Sequence, residues 1–320
     1  MTQRERFIKA LRREPLTGLV PHFELVFLLT MDVFGKRPPA HNYNTEASLT
    51  GLSGEEKNER LRSEAAIYVE IARKFNHSAI FVQATTVRSH DTVKRLLNQV
   101  RELSGDEYFI MVHGDPTHGM PDGHNMMEMS VQMYEEPEKL NEVSERRMEQ
   151  YLGWAKVFEG TSLLDGFAMC SDYGFNVNPF FSPDMFAELV TPYLKRIIDA
   201  YREMGYYSIK HSDGNIMPIL DQIIGCAPDA LHSIDPQGGM DLKLVKQLYG
   251  DKVCMIGNVN CGLLQTGTIK EVETDVLRSL RDGMPGYGYI FSTSNCVYLG
   301  LPFERYELMH KLWRKHGIYK

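Results

Sequence analysis

YYSIKHSDGN, residues 206–215, passes within ten positions from an apolar, aromatic run to His211, Ser212, Asp213 and Gly214. The run reads as a buried β-strand whose end carries an imidazole and a carboxylate two positions apart. Side chains alternate along a strand, so residues two apart share a face. Tyr207, Ile209, His211 and Asp213 therefore fall on one side. Gly214 then permits a sharp turn and a close backbone approach. One strand end of this kind decides nothing by itself, but the pattern recurs along the chain.

Comparable runs are VPHFELVF (20–27), SAIFVQ (78–83), YFIMVHGD (108–115), LDGFAMCSD (164–172), ALHSID (230–235), VCMIGNVN (253–260) and GYIFSTSNC (288–296). Each is rich in β-branched or aromatic residues and ends in polar ones. Long helical patterns separate them, the clearest at 55–75, 183–204, 269–284 and 302–317. Ser182 before Pro183 and Asp184 is a helix N-cap with proline in the first helical position. Alternating strand and helix patterns predict a parallel sheet. Eight such units predict an α/β fold, a single (β/α)8 TIM barrel over residues 1–320. A doubly wound open sheet would be very large, and no glycine-rich dinucleotide turn follows any run. The charged start, MTQRERFIKALRREP, predicts an N-terminal helical extension rather than a signal peptide.

The net charge of −7 and pI near 5.9 argue against nucleic-acid or anionic-membrane partners, both of which favour a basic face. No run approaches the roughly 18 apolar residues of a membrane span. The five cysteines are odd in number and form no CxxC pair, which predicts a reducing, cytoplasmic setting without disulfides. The runs EEKNERLRSE and PEKLNEVSERR read as solvated helix faces.

In such barrels the active site lies at the C-terminal strand ends. Those ends carry Glu24, Gln83, His113 with Asp115, Asp172 with Tyr173, His211 with Asp213, Asp235, Asn258 with Asn260, and Ser294-Asn295-Cys296. Glu, His and Cys are not favoured turn formers, so their convergence predicts an enzyme with a polar pocket. His211, Asp213, Asp172 and Tyr173 are the expected catalytic residues, with Tyr173 donating a proton or stacking on a ring at the mouth. Glu24, Gln83, His113, Asn258 and Asn295 are expected to bind substrate. The Gly/Pro-rich loop 112–125 holds His113 and His118, leads into a methionine cluster, and is expected to line the pocket or meet a partner. Cys170, Cys254 and Cys261 are expected as buried small apolar residues.

Several stretches together resemble the uroporphyrinogen decarboxylase superfamily. They are HSDGNI (211–216), PDALHSIDPQGGMDLKLVKQLYGDKVCMIGNVN (228–260) with LLQTGT (263–268), and GYIFSTSNCVYLGLPFERYELM (288–309). RERFIKALRREP (4–15), VPHFE (20–24) and SDYGFNVNPFFSPDMFAELVTPYLKRII (171–198) fit the same pattern. The resemblance implies a (β/α)8 barrel with a deep cleft at the strand C-termini. The decarboxylases of this superfamily hold substrate carboxylates with an arginine-rich N-terminal motif. The corresponding segment here, HFELVFLL (22–29), contains Glu24 and no arginine, which disfavours a polycarboxylate substrate.

A second branch, the cobalamin-dependent methyltransferases, includes methylcobalamin:coenzyme M methyltransferases and O-demethylating methyltransferases. In the coenzyme M enzymes a His-x-Cys pair and a distant cysteine hold zinc. This resemblance places His211 on the histidine and Cys296 near the distant cysteine, while Asp213 replaces the paired cysteine. It implies zinc on His211, Asp213 and Cys296. Exchange of sulfur for carboxylate hardens such a site and leaves the ion more Lewis-acidic. That suits departure of a phenolate or alkoxide better than activation of a thiol. The implied reaction moves a methyl group from a small methoxylated substrate, an aryl methyl ether, to the cobalt of a corrinoid protein. The chain carries no D-x-H-x-x-G run, so the cobalamin is expected on a partner protein. A metal-free His211–Asp213 hydrogen-bonded pair, a tetrapyrrole decarboxylase and a non-catalytic ligand-binding barrel are the alternative readings.

Overall fold

A computed structural model describes residues 1–37, 46–83 and 88–320. Among these, seven parallel strands form one sheet in sequence order: β2 (Ala79–Val82), β3 (Phe109–His113), β4 (Gly166–Cys170), β5 (Tyr207–Ser212), β6 (Ala230–Ser233), β7 (Cys254–Val259) and β8 (Tyr289–Thr293). A short antiparallel pair, β1 (Gly18–Leu19) with β9 (Ile318–Tyr319), joins the two ends of the chain.

The run at 20–27 occupies the position between β8 and β2 without forming a regular strand. Phe291 N donates to Pro21 O (2.8 Å) and Phe23 N to Phe291 O (3.1 Å). On the other side Ser78 N donates to His22 O (2.6 Å), and further along Leu28 N donates to Val297 O (2.7 Å). Parallel bridges at His22–Phe291 and Phe27–Val297 are what remain of the expected eighth strand. Pro21 has no N–H to give to a ladder, so pairing on this segment is interrupted from its start.

Phe23, Phe81, Phe109, Met111, Ala168, Ile209, Ala230, Cys254, Ile256 and Ile290 form an interior cluster, and Phe7 and Leu11 of the helix Gln3–Leu11 pack into it. Phe7 meets Phe109 with ring centroids 4.8 Å apart, so the expected N-terminal helix plugs the bottom of the barrel. A capping box between Thr2 and Glu5 starts this helix, and Arg4 Nη2 holds Asp165 Oδ1 at 2.6 Å. With the bottom sealed by apolar side chains, polar interior positions remain only toward the strand C-termini.

Ser182 caps its helix as expected, accepting from Met185 N (3.2 Å). The helix predicted over 183–204 is two, Pro183–Leu189 and Thr191–Glu203. Pro192 lacks the N–H that would continue the hydrogen-bond ladder, and its ring crowds the preceding turn. No helix among the described residues is long and apolar enough to cross a membrane.

Candidate active site

A cleft of ≈ 410 Å³ opens at the C-terminal strand ends, lined by Leu25, Val26, Phe81, Gln83, His113, Cys170, Asp172, His211, Asp213, Asn295 and Cys296. Five parts of the barrel contribute polar groups to it: the ends of β2, β3, β4, β5 and β8. Leu25, Val26 and Phe81 give it an apolar wall.

His211 and Asp213 share a face as the strand alternation requires, with Asp172 facing them from the end of β4. His211 Nε2 lies 3.5 Å from Asp172 Oδ1 and 3.8 Å from Asp213 Oδ1. Donor atoms of these three side chains all lie within 4.8 Å of one another. The backbone fixes the arrangement: Asp213 N donates to Asp172 Oδ1 (2.9 Å), and Tyr173 N to Ser212 Oγ (2.9 Å). Ser233 Oγ donates to Asp213 Oδ1 (2.7 Å), and Asn295 Nδ2 to Asp213 Oδ2. Burial pushes the Asp213 carboxyl up to about 6, and the neighbouring charge of Asp172 adds to the rise while His211 and Ser233 oppose it. Two carboxylates and an imidazole converging this closely suit a divalent cation, which would relieve their mutual repulsion.

Cys296 lines the same cleft but lies outside the three-residue cluster, and burial pushes its thiol up to about 11. The structure thus puts Asp172 where the sequence suggested Cys296. Gln83 is half-buried on the cleft wall. His113 borders the cleft with Nδ1 near Tyr151 Oη (3.2 Å) and Nε2 near Cys170 O (3.2 Å). Burial holds its pKa below the usual imidazole range, with the charges of Lys210 and His211 acting the same way.

Three expected site residues face elsewhere. Glu24 is buried between the 20–28 segment and β8, accepting from Thr293 Oγ1 (2.5 Å) and Thr293 N (3.2 Å). Phe23 and Leu25 face the interior, so alternation turns Glu24 toward the helical layer. Tyr173 is fully buried rather than at the mouth. Its hydroxyl meets Thr117 Oγ1 (2.6 Å), and its ring packs edge-on against Phe186. Asn258 is likewise buried, with Nδ2 donating to Ile234 O (2.7 Å) and Oδ1 accepting from Arg278 Nη1 (3.0 Å). Gly257, at φ +133°, breaks the alternation of β7 and turns Asn258 away from the cleft. Cys170, expected as buried filler, instead lines the cleft. His118 sits under the loop, its Nε2 near Leu140 O (2.9 Å), and takes no part in the cleft.

Two neighbours of the site were not singled out from the sequence. His232 pairs in register with His211 across β5 and β6, and their Nδ1 atoms are 2.7 Å apart. Lys210 points away from the interior, as its position in β5 requires, and its Nζ reaches Asp115 Oδ2 (2.8 Å). Register between strands and the partners of outward side chains are invisible in a single run of sequence.

Residues 167–316 match the family model described as uroporphyrinogen decarboxylase (URO-D), in agreement with the resemblance drawn from the motifs. A methyltransferase from Methanosarcina mazei shares the fold at a TM-score of 0.75 and 16% identity, over 98% of this chain and 99% of that one. A GH5_18 protein from Bifidobacterium longum subsp. infantis is similar at a TM-score of 0.49 and 9% identity, over 94% of this chain and 80% of that one. No curated protein matches the sequence.

Proposed function

We propose that the protein is a methyltransferase that takes a methyl group from a small methoxylated compound, an aryl methyl ether, and delivers it to the cobalt of a corrinoid carried by a separate protein. The observation that carries this reading is the Asp172–His211–Asp213 cluster beside an apolar wall of Leu25, Val26 and Phe81. The reading also follows the named activity of the Methanosarcina mazei protein, whose fold runs the length of this chain.

The cluster fits a zinc ion through hard donors, the carboxylates of Asp172 and Asp213 and one nitrogen of His211. When bound, the ion would supply Lewis acidity to an ether oxygen about to leave as a phenolate or alkoxide. The protein's own groups do the rest. The apolar wall takes the aromatic ring and keeps water from it. Asn295 and Ser233 donate to the two Asp213 oxygens and hold that carboxylate in place for the ion.

A partner needs a landing surface near the cleft. The loop after β3 reaches the cleft rim, where Met120 N donates to Asp172 O (2.5 Å). The helix Met126–Glu135 follows at once and exposes Met127, Val131 and Tyr134, spaced on one face. Such a methionine and aromatic stripe suits an adaptable protein contact.

Tetrapyrrole decarboxylation is disfavoured for a reason different from the one the sequence suggested. Glu24 does not face the cleft, but Asp172 and Asp213 do, and no arginine or lysine lines it among the described residues. A substrate bearing several carboxylates would meet like charge without a cationic partner.

The test is metal analysis of the purified protein, followed by incubation with methoxylated aromatics and a cobalt(I) corrinoid. Phenol release together with the methyl–cobalt absorption spectrum, both abolished in a folded His211→Ala variant, is the expected result. Turnover of uroporphyrinogen, or methyl transfer unaffected by His211→Ala, would overturn the reading.

A further inference from the structure

The polar groups lining the cleft differ in what they have left to offer a ligand. His113 is engaged at both ring nitrogens. Cys170 O can only accept, so Nε2 donates to it (3.2 Å), and the bare Nδ1 accepts from Tyr151 Oη (3.2 Å). Asn295 Nδ2 is committed to Asp213, and Asp172 and Asp213 belong to the cluster with His211. Cys170 and Cys296 offer only weakly bonding thiols. Gln83 is different. Its backbone N donates to Tyr68 Oη (3.0 Å), but its side-chain amide has no partner among the described residues.

Alternation along β2 puts Gln83 on the interior face with Phe81, and the side chain is half-buried. β2 stands two strands from β4 and three from β5 in the sheet. At the usual spacing between strands, Gln83 therefore lies roughly 10 Å or more from the cluster. Leu25, Val26 and Phe81 form the wall beside it. A ring laid on this wall with its ether oxygen at the cluster directs its opposite substituent to Gln83.

Charge decides what that substituent can be. No lysine or arginine lines the cleft among the described residues, and residues 38–45 and 84–87 contain neither in their sequence. Lys210, next to His211 in the chain, is held by Asp115 outside the interior. A carboxylate brought to Gln83 would find an amide N–H and no cation, with Asp172 and Asp213 in the same cleft, so its lost hydration would go uncompensated. A neutral hydroxyl or amide both donates and accepts, and so pairs with both ends of the Gln83 side chain.

We propose that Gln83 sets the substrate class: the ring carries, opposite its methoxy group, a neutral hydrogen-bonding substituent such as a phenolic hydroxyl, and not a carboxylate. The inference rests on the reading above that the cleft takes a methoxylated ring, and adds which rings it takes.

The test is calorimetric titration of the full chain with para-methoxyphenol, para-methoxybenzamide and para-methoxybenzoate. The benzamide matches the benzoate in shape and lacks its charge. Each compound is run with zinc and after chelation, on wild-type, Gln83→Leu and Gln83→Arg protein, with thermal unfolding as the check on folding. In chelated wild-type protein the two neutral compounds should bind at least about tenfold tighter than the benzoate. Gln83→Leu should weaken the neutral compounds by a similar factor. Gln83→Arg supplies a bidentate guanidinium and should reverse the order. Equal or tighter binding of the benzoate by chelated wild-type protein would overturn the proposal while leaving the methoxylated-ring reading in place. A folded Gln83→Leu variant with wild-type affinities would do the same. If neither variant folds, the wild-type order decides. Binding of none of the three compounds, with zinc or without, would remove the methoxylated-ring reading itself and this inference with it.

Discussion

Lys210 Nζ and Asp115 Oδ2 lie 2.8 Å apart with neither side chain exposed to solvent, one residue from His211. The carbonyls of Met169 (3.1 Å), Ser171 (2.9 Å) and His211 (2.8 Å) also lie within hydrogen-bond distance of the ammonium, which shares its three N–H groups among them and Asp115 and sits over the Tyr173 ring. It thereby ties the ends of β4 and β5 to the loop after β3. Burial alone would raise the Asp115 carboxyl, but Lys210 and Thr117 outweigh it and hold it below the usual value. Removing one partner of such a pair strands the other charge in the interior. Lys210→Met is therefore expected to cost about 3–5 kcal/mol in urea unfolding, and combining it with Asp115→Asn should recover part of that. A single variant within about 1 kcal/mol of wild type would show that the pair does not clamp the site.

The hydroxyl of Tyr173 is spent on Thr117 inside the protein, away from the cleft. Tyr173→Phe should leave methyl transfer within a few-fold of wild type and lower stability by about 0.5–1.5 kcal/mol, the net worth of one hydrogen bond. A hundredfold loss of turnover with unchanged stability would restore this tyrosine as a proton donor.

These residues show where a sequence reading carries and where it stops. The barrel was legible because each strand run is followed by a helical pattern and ends in polar residues at one end of the sheet. His211 and Asp213 were legible because two-residue spacing within one regular strand fixes a shared face. Tyr173, Glu24 and Asn258 misled for a common reason: they lie beside strand ends in the chain but not on the interior face. Gly257 at φ +133° turns Asn258 away, and alternation between the inward Phe23 and Leu25 leaves Glu24 on the helical side. Asp172 stood among the expected catalytic residues, but its closeness to His211 depends on how the turns after β4 and β5 pack. His232 depends on register, since His211 faces it only because β5 and β6 pair as they do.

Burial pushes the Glu24 carboxyl up to about 8 from an ordinary 4.5, against the donors Thr293 and Ser292. The folded protein therefore holds a proton on Glu24 that the unfolded chain releases between about pH 4.5 and 8. Stability from this group is fully present below the lower value and is lost as pH rises through the upper one, with a slope of at most about 1.4 kcal/mol per pH unit. Glu24→Gln mimics the neutral carboxyl, so its unfolding free energy should fall less between pH 5.5 and 8 than that of wild type. Parallel slopes for the two proteins would mean that Glu24 is ionised in the folded state.

Gly214 follows Asp213 at φ +78°, in the left-handed region, and a Cβ there would overlap the backbone carbonyl of Gly174. Its N–H donates to Asp235 Oδ2 (3.2 Å), and the next residue, Asn215, donates from N to Phe175 O (2.8 Å). The turns after β4 and β5 are thus packed backbone to backbone, which holds Asp172 and Asp213 within reach of one ion. Gly205 provides an internal control: it has a similar φ of +84°, but a Cβ on it would meet nothing within 4 Å. Gly205→Ala should cost only the left-handed strain, about 1–2 kcal/mol. Gly214→Ala should cost that plus about 1–3 kcal/mol for displacing backbone. Zinc affinity should fall with it, because the turn that carries Asp213 must move, whereas Gly205→Ala should leave affinity intact. Urea unfolding and zinc calorimetry on the two variants measure both effects. Equal stability losses with unchanged affinity would show that the close approach at Gly214 does not position the site.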